Sequence, residues 1–395
     1  AGSGSGGSAA GGSGSGGDST GGAGASGGTP GTGGSTTGGA SPTGGTGAGG
    51  STGGTPAGGD GNGGSGGTTG GAGGGSSGGS GGGNVGPGPS DIPPAPGPDN
   101  VPAPSGAPGG LTVLDWAGFP AAVTYSFDDN DGSQLNYYDQ MHAIGGRYTF
   151  YLVTNPGVIG TAITDAAWKK IRDDGNEIGN HTTDHNCGTA NIDGGNSAIQ
   201  TTFGAPPTTL AAPYGDSACA SQAPGRVFIN RGVGPAQPVK PLDNSNPFNL
   251  NCYIPATDQA ASEYNKNIDS ALSQKGWVIY VIHGIKPTSH SYQPVAWEGL
   301  KGAIEYAKSK NVWIDTMENI GSYWLGQKAF AAATTQMNGD TTTWTWTLPE
   351  KFPTGKYLRV KVDGGTLTQG GAPLTWDPHG YYEIELDKKT LTLAP

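Results

Sequence analysis

The chain has 395 residues, 78 glycines, 30 prolines and a formal net charge of −11, and its first Lys or Arg is Arg147. No basic patch or tail is available for nucleic acid or anionic lipid, and no run of about 20 apolar residues could span a bilayer. Glycine is concentrated at one end, so the folded part is shorter than the chain.

Residues 1–110 consist almost wholly of Gly, Ser, Thr, Ala and Pro, with Asp18, Asp60, Asp91 and Asp99 as the charged positions. Such a segment lacks the apolar surface that would offset chain entropy and is read as a disordered tether, stiffer in its proline-rich last part. A strict Gly-X-Y repeat is missing, which excludes collagen. A basic stretch followed by an apolar one is also missing at the start. We read any signal peptide as removed and expect a secreted or cell-surface-tethered protein.

The folded part begins near Leu111. Ala121–Phe127 is an apolar, β-branched and aromatic run that ends in Asp128-Asp129-Asn130-Asp131-Gly132, the pattern of a buried strand delivering carboxylates into a loop. A helical stretch over 134–143, a strand over 148–153, a helix through Trp168 to Arg172 and a short strand at 177–179 follow. Further strands are expected at 208–212, 227–230, 277–283 and 312–315, with a helix over 297–308. Alternating β and α units predict an α/β fold with a parallel sheet or barrel, whose active site gathers at the carboxyl ends of the strands. Asp128, Asp129, Pro213, Tyr214 and His283 all fall at such ends. From about 329 the pattern changes to alternation of period two, as in Trp344-x-Trp346-x-Leu348 and Tyr382-x-Ile384-x-Leu386, predicting a small antiparallel, sandwich-like β domain over 329–395. The domains expected are therefore 1–110, 111–328 and 329–395.

His181 and His185 are four residues apart, the spacing that puts two imidazoles on one helical face and lets them share a metal, with a third ligand needed. Neither this pair nor Asp128-Asp129 is specific alone. Both occur here in one order with an Ala212-Pro-Tyr-Gly215 turn and a strand ending in His283-Gly284, and together they are.

On these residues the chain resembles the polysaccharide deacetylase family (carbohydrate esterase family 4, the NodB homology domain). The motifs are Thr124–Asp129 (TYSFDD), His181–His185 (HTTDH), Ala212–Gly215 (APYG) and Val281–Gly284 (VIHG), and the resemblance covers about 118–324. It implies a distorted (β/α) barrel and one divalent metal, zinc before cobalt or nickel, held by Asp129, His181 and His185. It further implies Asp128 as general base, the Tyr214 backbone N–H as oxyanion donor and His283 as general acid. The implied function is hydrolytic deacetylation of a polysaccharide containing N-acetylglucosamine, such as chitin, peptidoglycan or an exopolysaccharide. The alternatives are an O-acetyl esterase acting on xylan and a non-catalytic, tethered glycan-binding protein. A monomer is expected.

The sequence departs from the family at its third motif. An Arg that pairs with the catalytic base is usual there, whereas this chain has Leu210-Ala211-Ala212 before Pro213. Arg231, at the end of the next strand, is expected to supply that guanidinium. The family's fourth motif, an Asp and a Trp that orient the acid histidine and line the acetyl pocket, is not recognisable, and Asp243 and Trp277 are the weak candidates. Thr182 is expected to steady the loop between the histidines. Cys187 is expected to pair with Cys219 or Cys252, and His142, His290 and His379 are taken as surface or packing histidines. Trp376, Tyr381 and Tyr382 are read as core aromatics of the β domain in preference to a sugar-stacking surface.

Overall fold

A computed structural model of the chain describes residues 89–395, apart from Ser291. The expected tether therefore falls largely outside the described residues. The first elements are β1 (Leu111–Val113), β2 (Ala122–Asp128), α1 (Gly132–Ile144), β3 (Thr149–Leu152), α2 (Ala166–Asp173), β4 (Glu177–Asn180) and α3 (Thr189–Phe203). Then come β5 (Thr209–Ala211), α4 (Ser217–Gln222), β6 (Ile229–Arg231), α5 (Ala261–Gln274), β7 (Trp277–Ile282), the short pair β8 (Ile285–Lys286) and β9 (Val295–Ala296), α6 (Trp297–Ser309), β10 (Trp313–Ile314) and α7 (Met317–Ala331).

Strands β2 to β7 and β10 form one parallel sheet in which β3, β4, β5 and β6 follow one another outward from β2. On its other side β2 lies along β7, while β10 covers the start of β2. Single pairings of Leu250 with Arg231 and of Tyr253 with Tyr280 bring the ends of the sheet toward closure. This parallel, helix-covered half-barrel agrees with the distorted (β/α) barrel expected. β2 is buried along its whole length, and its two hydroxyls from Thr124 and Ser126 are satisfied internally: Thr124 Oγ1 donates to Asp315 O at 2.8 Å and Ser126 Oγ to Tyr280 O at 2.7 Å. Aspartates begin the helices as caps: Asp131 accepts from Ser133 N, Asp165 from Ala167 N and Asp216 from Ala218 N.

The C-terminal part comprises β11 (Thr334–Asn338), β12 (Thr341–Thr345), β13 (Tyr357–Val362), β14 (Thr366–Gln369), β15 (Ala372–Pro373), β16 (Trp376–Asp377), β17 (Tyr381–Glu385) and β18 (Thr390–Ala394). They form two antiparallel sheets, ordered β1-β13-β17-β16 and β11-β12-β18-β14-β15. Leu111–Val113, read from sequence as the start of the barrel, is thus an edge strand of the C-terminal sheet. One apolar cluster runs from Trp116, Trp277 and Trp313 of the barrel through Trp324 on α7 into Leu358, Ile384 and Leu391 of the sheets. A second cluster, including Phe127, Phe150, Trp168 and Tyr280, lies between the parallel sheet and its helices. Tyr381 and Tyr382 are buried, and Trp376 donates its indole N–H to Val101 O at 2.8 Å, so these aromatics pack as expected.

Residues 89–110, grouped by composition with the tether, lie against the folded body. The buried Arg359 donates to Ile92 O at 2.9 Å and to Pro93 O at 2.8 Å, and its partner Glu383 accepts from Ser90 N at 3.0 Å and Ser90 Oγ at 2.6 Å. The segment supplies chiefly backbone acceptors, with Ile92 packed against the apolar cluster, and composition does not register this.

Candidate active site

The carboxylates come from the end of β2. In an extended strand Asp128 and Asp129 would face opposite sides of the sheet, but Asp129 (φ 74°) and Asn130 (φ 51°) turn the chain left-handed and both side chains enter one cleft. Asn130 holds that turn by exchanging hydrogen bonds with Val153, just past the end of β3, Nδ2 to O and N to Oδ1, each 2.7 Å. Thr161 N donates to Asn130 O at 2.8 Å, and a Cβ on Gly160 would meet Asp129 O at 2.1 Å. Gln134 joins the ends of β2 and β7, its amide donating to Asp128 O at 2.6 Å and to His283 O at 2.7 Å.

The two metal-spaced histidines are not on a helix. His181 directly follows β4, and Thr182 (φ 67°) and His185 (φ 53°) are left-handed, so the segment is a tight loop. Asn180 Oδ1 accepts from Thr182 N at 2.6 Å, an Asx turn that competes with helix formation. Thr182 Oγ1 accepts from Asn186 N at 3.2 Å, the steadying contact expected of it. Asn180 in turn leans on α3, where a Cβ on Gly195 would meet its Oδ1 at 2.3 Å. The loop ends in a disulfide from Cys187 to Cys219, which ties it to α4 just beyond Tyr214; Cys252 is free and buried.

These residues converge on a cleft of about 380 Å³ lined by Asp128, Asp129, His181, His185, Tyr214, Arg231 and His283 among others. His181 Nε2 and His185 Nε2 stand 3.3 and 3.2 Å from Asp129 Oδ1. Burial alone would raise the Asp129 carboxyl, but the three imidazoles around it, His181, His185 and His290, hold it far below the ordinary carboxylate range. Burial pushes His283 down, against the pull of Asp128 and Asp129. Arg231 is fully buried; Asp128 overcomes the effect of that burial and pushes the guanidinium higher still.

Arg231 donates through Nη2 to Asp128 Oδ2, and its guanidinium carbon sits 5.5 Å over the ring of Tyr151. Tyr214 lies in a turn with φ 56°; Gly215 N and Asp216 N donate back to Ala212 O and Pro213 O, and among the described residues no acceptor takes the Tyr214 N–H. The Tyr214 ring is 80% exposed and meets His185 edge-on.

Asp129, His181 and His185 suit a divalent cation. One ligand atom from each lies within 4.8 Å of the others. Asp129 Oδ1 is buried with no hydrogen-bond partner, and His181 Nδ1 is engaged by Ala211 O at 2.9 Å, which leaves Nε2 as the lone-pair nitrogen facing the cluster.

Two expectations fail here. Asp243 caps its own turn, accepting from Lys240 N at 2.7 Å, and Trp277 donates to Thr124 Oγ1 at 3.0 Å at the opposite end of β7, so neither lines the cleft. Val233, Ile254 and Val281 form its apolar wall instead. His290, taken as an ordinary histidine, is a cleft residue whose Nε2 lies 2.9 Å from Asp129 Oδ2. A lone histidine in a loop seven residues beyond His283 gave no spacing signal. His142 and His379 do sit elsewhere, against Tyr138 and Asp377.

Residues 120–223, which carry both aspartates, both metal-spaced histidines and the Tyr214 turn, match the family model described as polysaccharide deacetylase. Over that segment the barrel is similar to the polysaccharide deacetylase family. A comparison with curated proteins finds no match. Among solved structures, the chain is similar to a putative polysaccharide deacetylase from Mycobacterium smegmatis, at 15% identity and a TM-score of 0.39, over 57% of this chain and 96% of that one. It is also similar to a chitin deacetylase from Colletotrichum lindemuthianum, at 17% identity and a TM-score of 0.35, over 56% and 92%. A third is a family 4 acetyl xylan esterase from Clostridium thermocellum in complex with a cobalt ion, at 19% identity and a TM-score of 0.33, over 50% and 89%. No helix among the described residues is long and apolar enough to cross a membrane.

Proposed function

We propose that this chain is a metal-dependent deacetylase that hydrolyses N-acetyl groups on a polymer containing N-acetylglucosamine, with Asp129, His181 and His185 as ligands and zinc as the metal. The observation that carries the reading is the state of Asp128. Arg231 occupies its Oδ2, while its Oδ1 is buried, has no hydrogen-bond partner among the described residues and lies beside the Asp129, His181 and His185 cluster. A buried carboxylate oxygen left open in a cleft is a proton acceptor waiting for a donor.

A divalent cation bound there would polarise the acetyl carbonyl and lower the pKa of a water molecule. Asp128 Oδ1 removes a proton from the attacking water as its oxygen bonds to the carbonyl carbon. The Tyr214 N–H donates to the oxyanion that develops, and a preorganised donor of this kind is worth about 3 kcal/mol. His283, in the protonated form that the Asp128 and Asp129 charges favour against burial, delivers a proton to the sugar nitrogen as the C–N bond breaks, releasing acetate and a free amine. An amine leaves far less readily than an alkoxide without that proton, which is why the N-acetyl reading is preferred. Val233, Ile254 and Val281 offer the acetyl methyl an apolar wall. Secretion or surface tethering, with the Gly/Ser/Thr-rich residues before 89 as spacer, fits an insoluble polymer substrate.

The test is acetate release from chitooligosaccharides, peptidoglycan fragments and acetylated xylooligosaccharides, each assayed with zinc. Release from the N-acetylated substrates is expected. Release from xylan alone would move the reading to an O-acetyl esterase, and binding without release from any substrate would make the chain a glycan-binding protein.

A further inference from the structure

Asp129 differs from the two histidine ligands in having a second donor atom that the cation does not need. One oxygen, Oδ1, faces His181 and His185 and lacks a hydrogen-bond partner; the other, Oδ2, faces His290 Nε2 at 2.9 Å. The proton on His290 can be assigned from its other nitrogen. Tyr292 N–H donates to His290 Nδ1 at 3.2 Å, so Nδ1 is the acceptor and the ring proton is on Nε2, pointing at Asp129.

The ring is also held in place from outside the cleft. His290 N donates to Thr288 Oγ1 at 3.0 Å, and Thr288 Oγ1 donates to the Asp131 carboxylate at 2.9 and 3.0 Å. Asp131 caps α1 two residues after Asp129, so the loop carrying His290 is anchored to the turn that carries the ligand. The face of the ring stacks on His283 at 5.3 Å between centroids, and Gly284 permits the approach, since a Cβ there would lie 3.0 Å from the Cβ of His290.

From this geometry we propose that His290 is a positioning residue for the metal centre: its Nε2–H holds Asp129 Oδ2, so that Oδ1 alone is presented to the cation. The proposal rests on the metal-dependent reading above. The donor plays for the carboxylate ligand the part that Ala211 O plays for His181, fixing which atom faces the metal before the metal arrives. A carboxylate lacking that partner rotates, and its ligand oxygen is no longer preset.

The experiment is zinc affinity by chelator competition on the full chain, with thermal unfolding of the metal-free proteins alongside. His290→Phe keeps the ring that stacks on His283 and removes the donor; it is expected to weaken zinc binding by about 10- to 100-fold while leaving the metal-free midpoint near that of the parent. His290→Gln keeps an N–H donor and removes the imidazole; it is expected to retain affinity within a few-fold. Parental affinity in His290→Phe, or a loss in His290→Gln as large as that in His290→Phe, would overturn the positioning role while leaving the Asp129, His181 and His185 site intact. Failure of the parent chain itself to bind zinc, with no difference on changing His181→Ala, would instead defeat the metal-dependent reading.

Discussion

Arg231 reaches Asp128 across 103 residues of chain and from four strands away in the sheet order, and both side chains are buried. Ala211, where the family's arginine would stand, is the register neighbour of Arg231 on the adjoining parallel strand, so the two positions look onto the same face. From that neighbouring strand the Arg231 guanidinium meets the Asp128 carboxylate. Replacing Arg231 by Ala should lower turnover by at least about 100-fold with zinc still bound, because a catalytic carboxylate loses its orientation while the ligands are untouched. It should also destabilise the fold by about 3–5 kcal/mol, the usual consequence of stranding a buried charge. Arg231→Lys should recover only part of the activity, since an ammonium lacks the planar fork. Steady-state kinetics and metal content on each variant check both statements.

Asp128→Asn separates base from ligand. It removes the proton acceptor and keeps the shape, so turnover should fall by about 100-fold or more while zinc stoichiometry stays at that of the parent. Loss of zinc in this variant, measured by metal analysis after gel filtration, would mean that Asp128 rather than Asp129 is the ligand.

The proline-rich segment before the barrel makes a stability prediction. A chain beginning at residue 104 loses the acceptors that Ile92 and Pro93 give to Arg359, the donors that Ser90 gives to Glu383 and the acceptor that Val101 gives to Trp376. Stranding these groups should cost about 3 kcal/mol, which for a protein of this size is a fall in Tm of roughly 5 °C relative to a chain beginning at residue 89. Equal midpoints for the two chains would show that the contacts do not matter.

Glu177 gives a pH-dependent prediction away from the cleft. Burial, with the charge of Glu318 as a second cause, raises its carboxyl from 4.5 to about 7. Its oxygens accept from Thr149 Oγ1 at 2.8 Å, Glu318 N at 2.9 Å and Thr209 Oγ1. Between pH 4.5 and 7 the unfolded chain gives up this proton while the folded one keeps it, so stability falls as pH rises and the loss is complete above about 7, with a ceiling of about 3 kcal/mol. Glu177→Gln reproduces the neutral form and can still accept from Thr149 and Glu318. It should raise Tm at pH 8 and change it little at pH 5, which thermal melts at the two pH values decide.

Much of this was legible in the sequence, and the parts that were not have identifiable causes. The strands around Ala122–Asp128 and Trp277–Ile282 are continuous apolar runs because both faces are covered, so they stood out. The Arg231 pairing was legible only because the third motif lacked its usual arginine, leaving a carboxylate in want of a partner. Helix α3 was missed because Gly194 and Gly195 interrupt it, and Gly195 is there to admit Asn180 rather than to break the helix. Helix α7 was missed because it is buried on nearly every side and shows no polar stripe. The His181 and His185 spacing predicted a shared ligand but the wrong backbone, since the Asn180 side chain and two left-handed residues bring the rings together by a different route. His290 carried no local signal, because its role depends on a fold that places residue 290 against residue 129.

The central claim is that Asp129, His181 and His185 hold one metal on which acetate release depends. The most direct measurement strips the protein with a chelator, titrates zinc back and follows acetate release from N-acetyl chitooligosaccharides in the same samples. The stripped protein should release none, and activity should rise linearly to a break at one zinc per chain, a rise and a break that His181→Ala should lack. Undiminished release from the metal-free protein, or a His181→Ala variant restored by one equivalent, would contradict it.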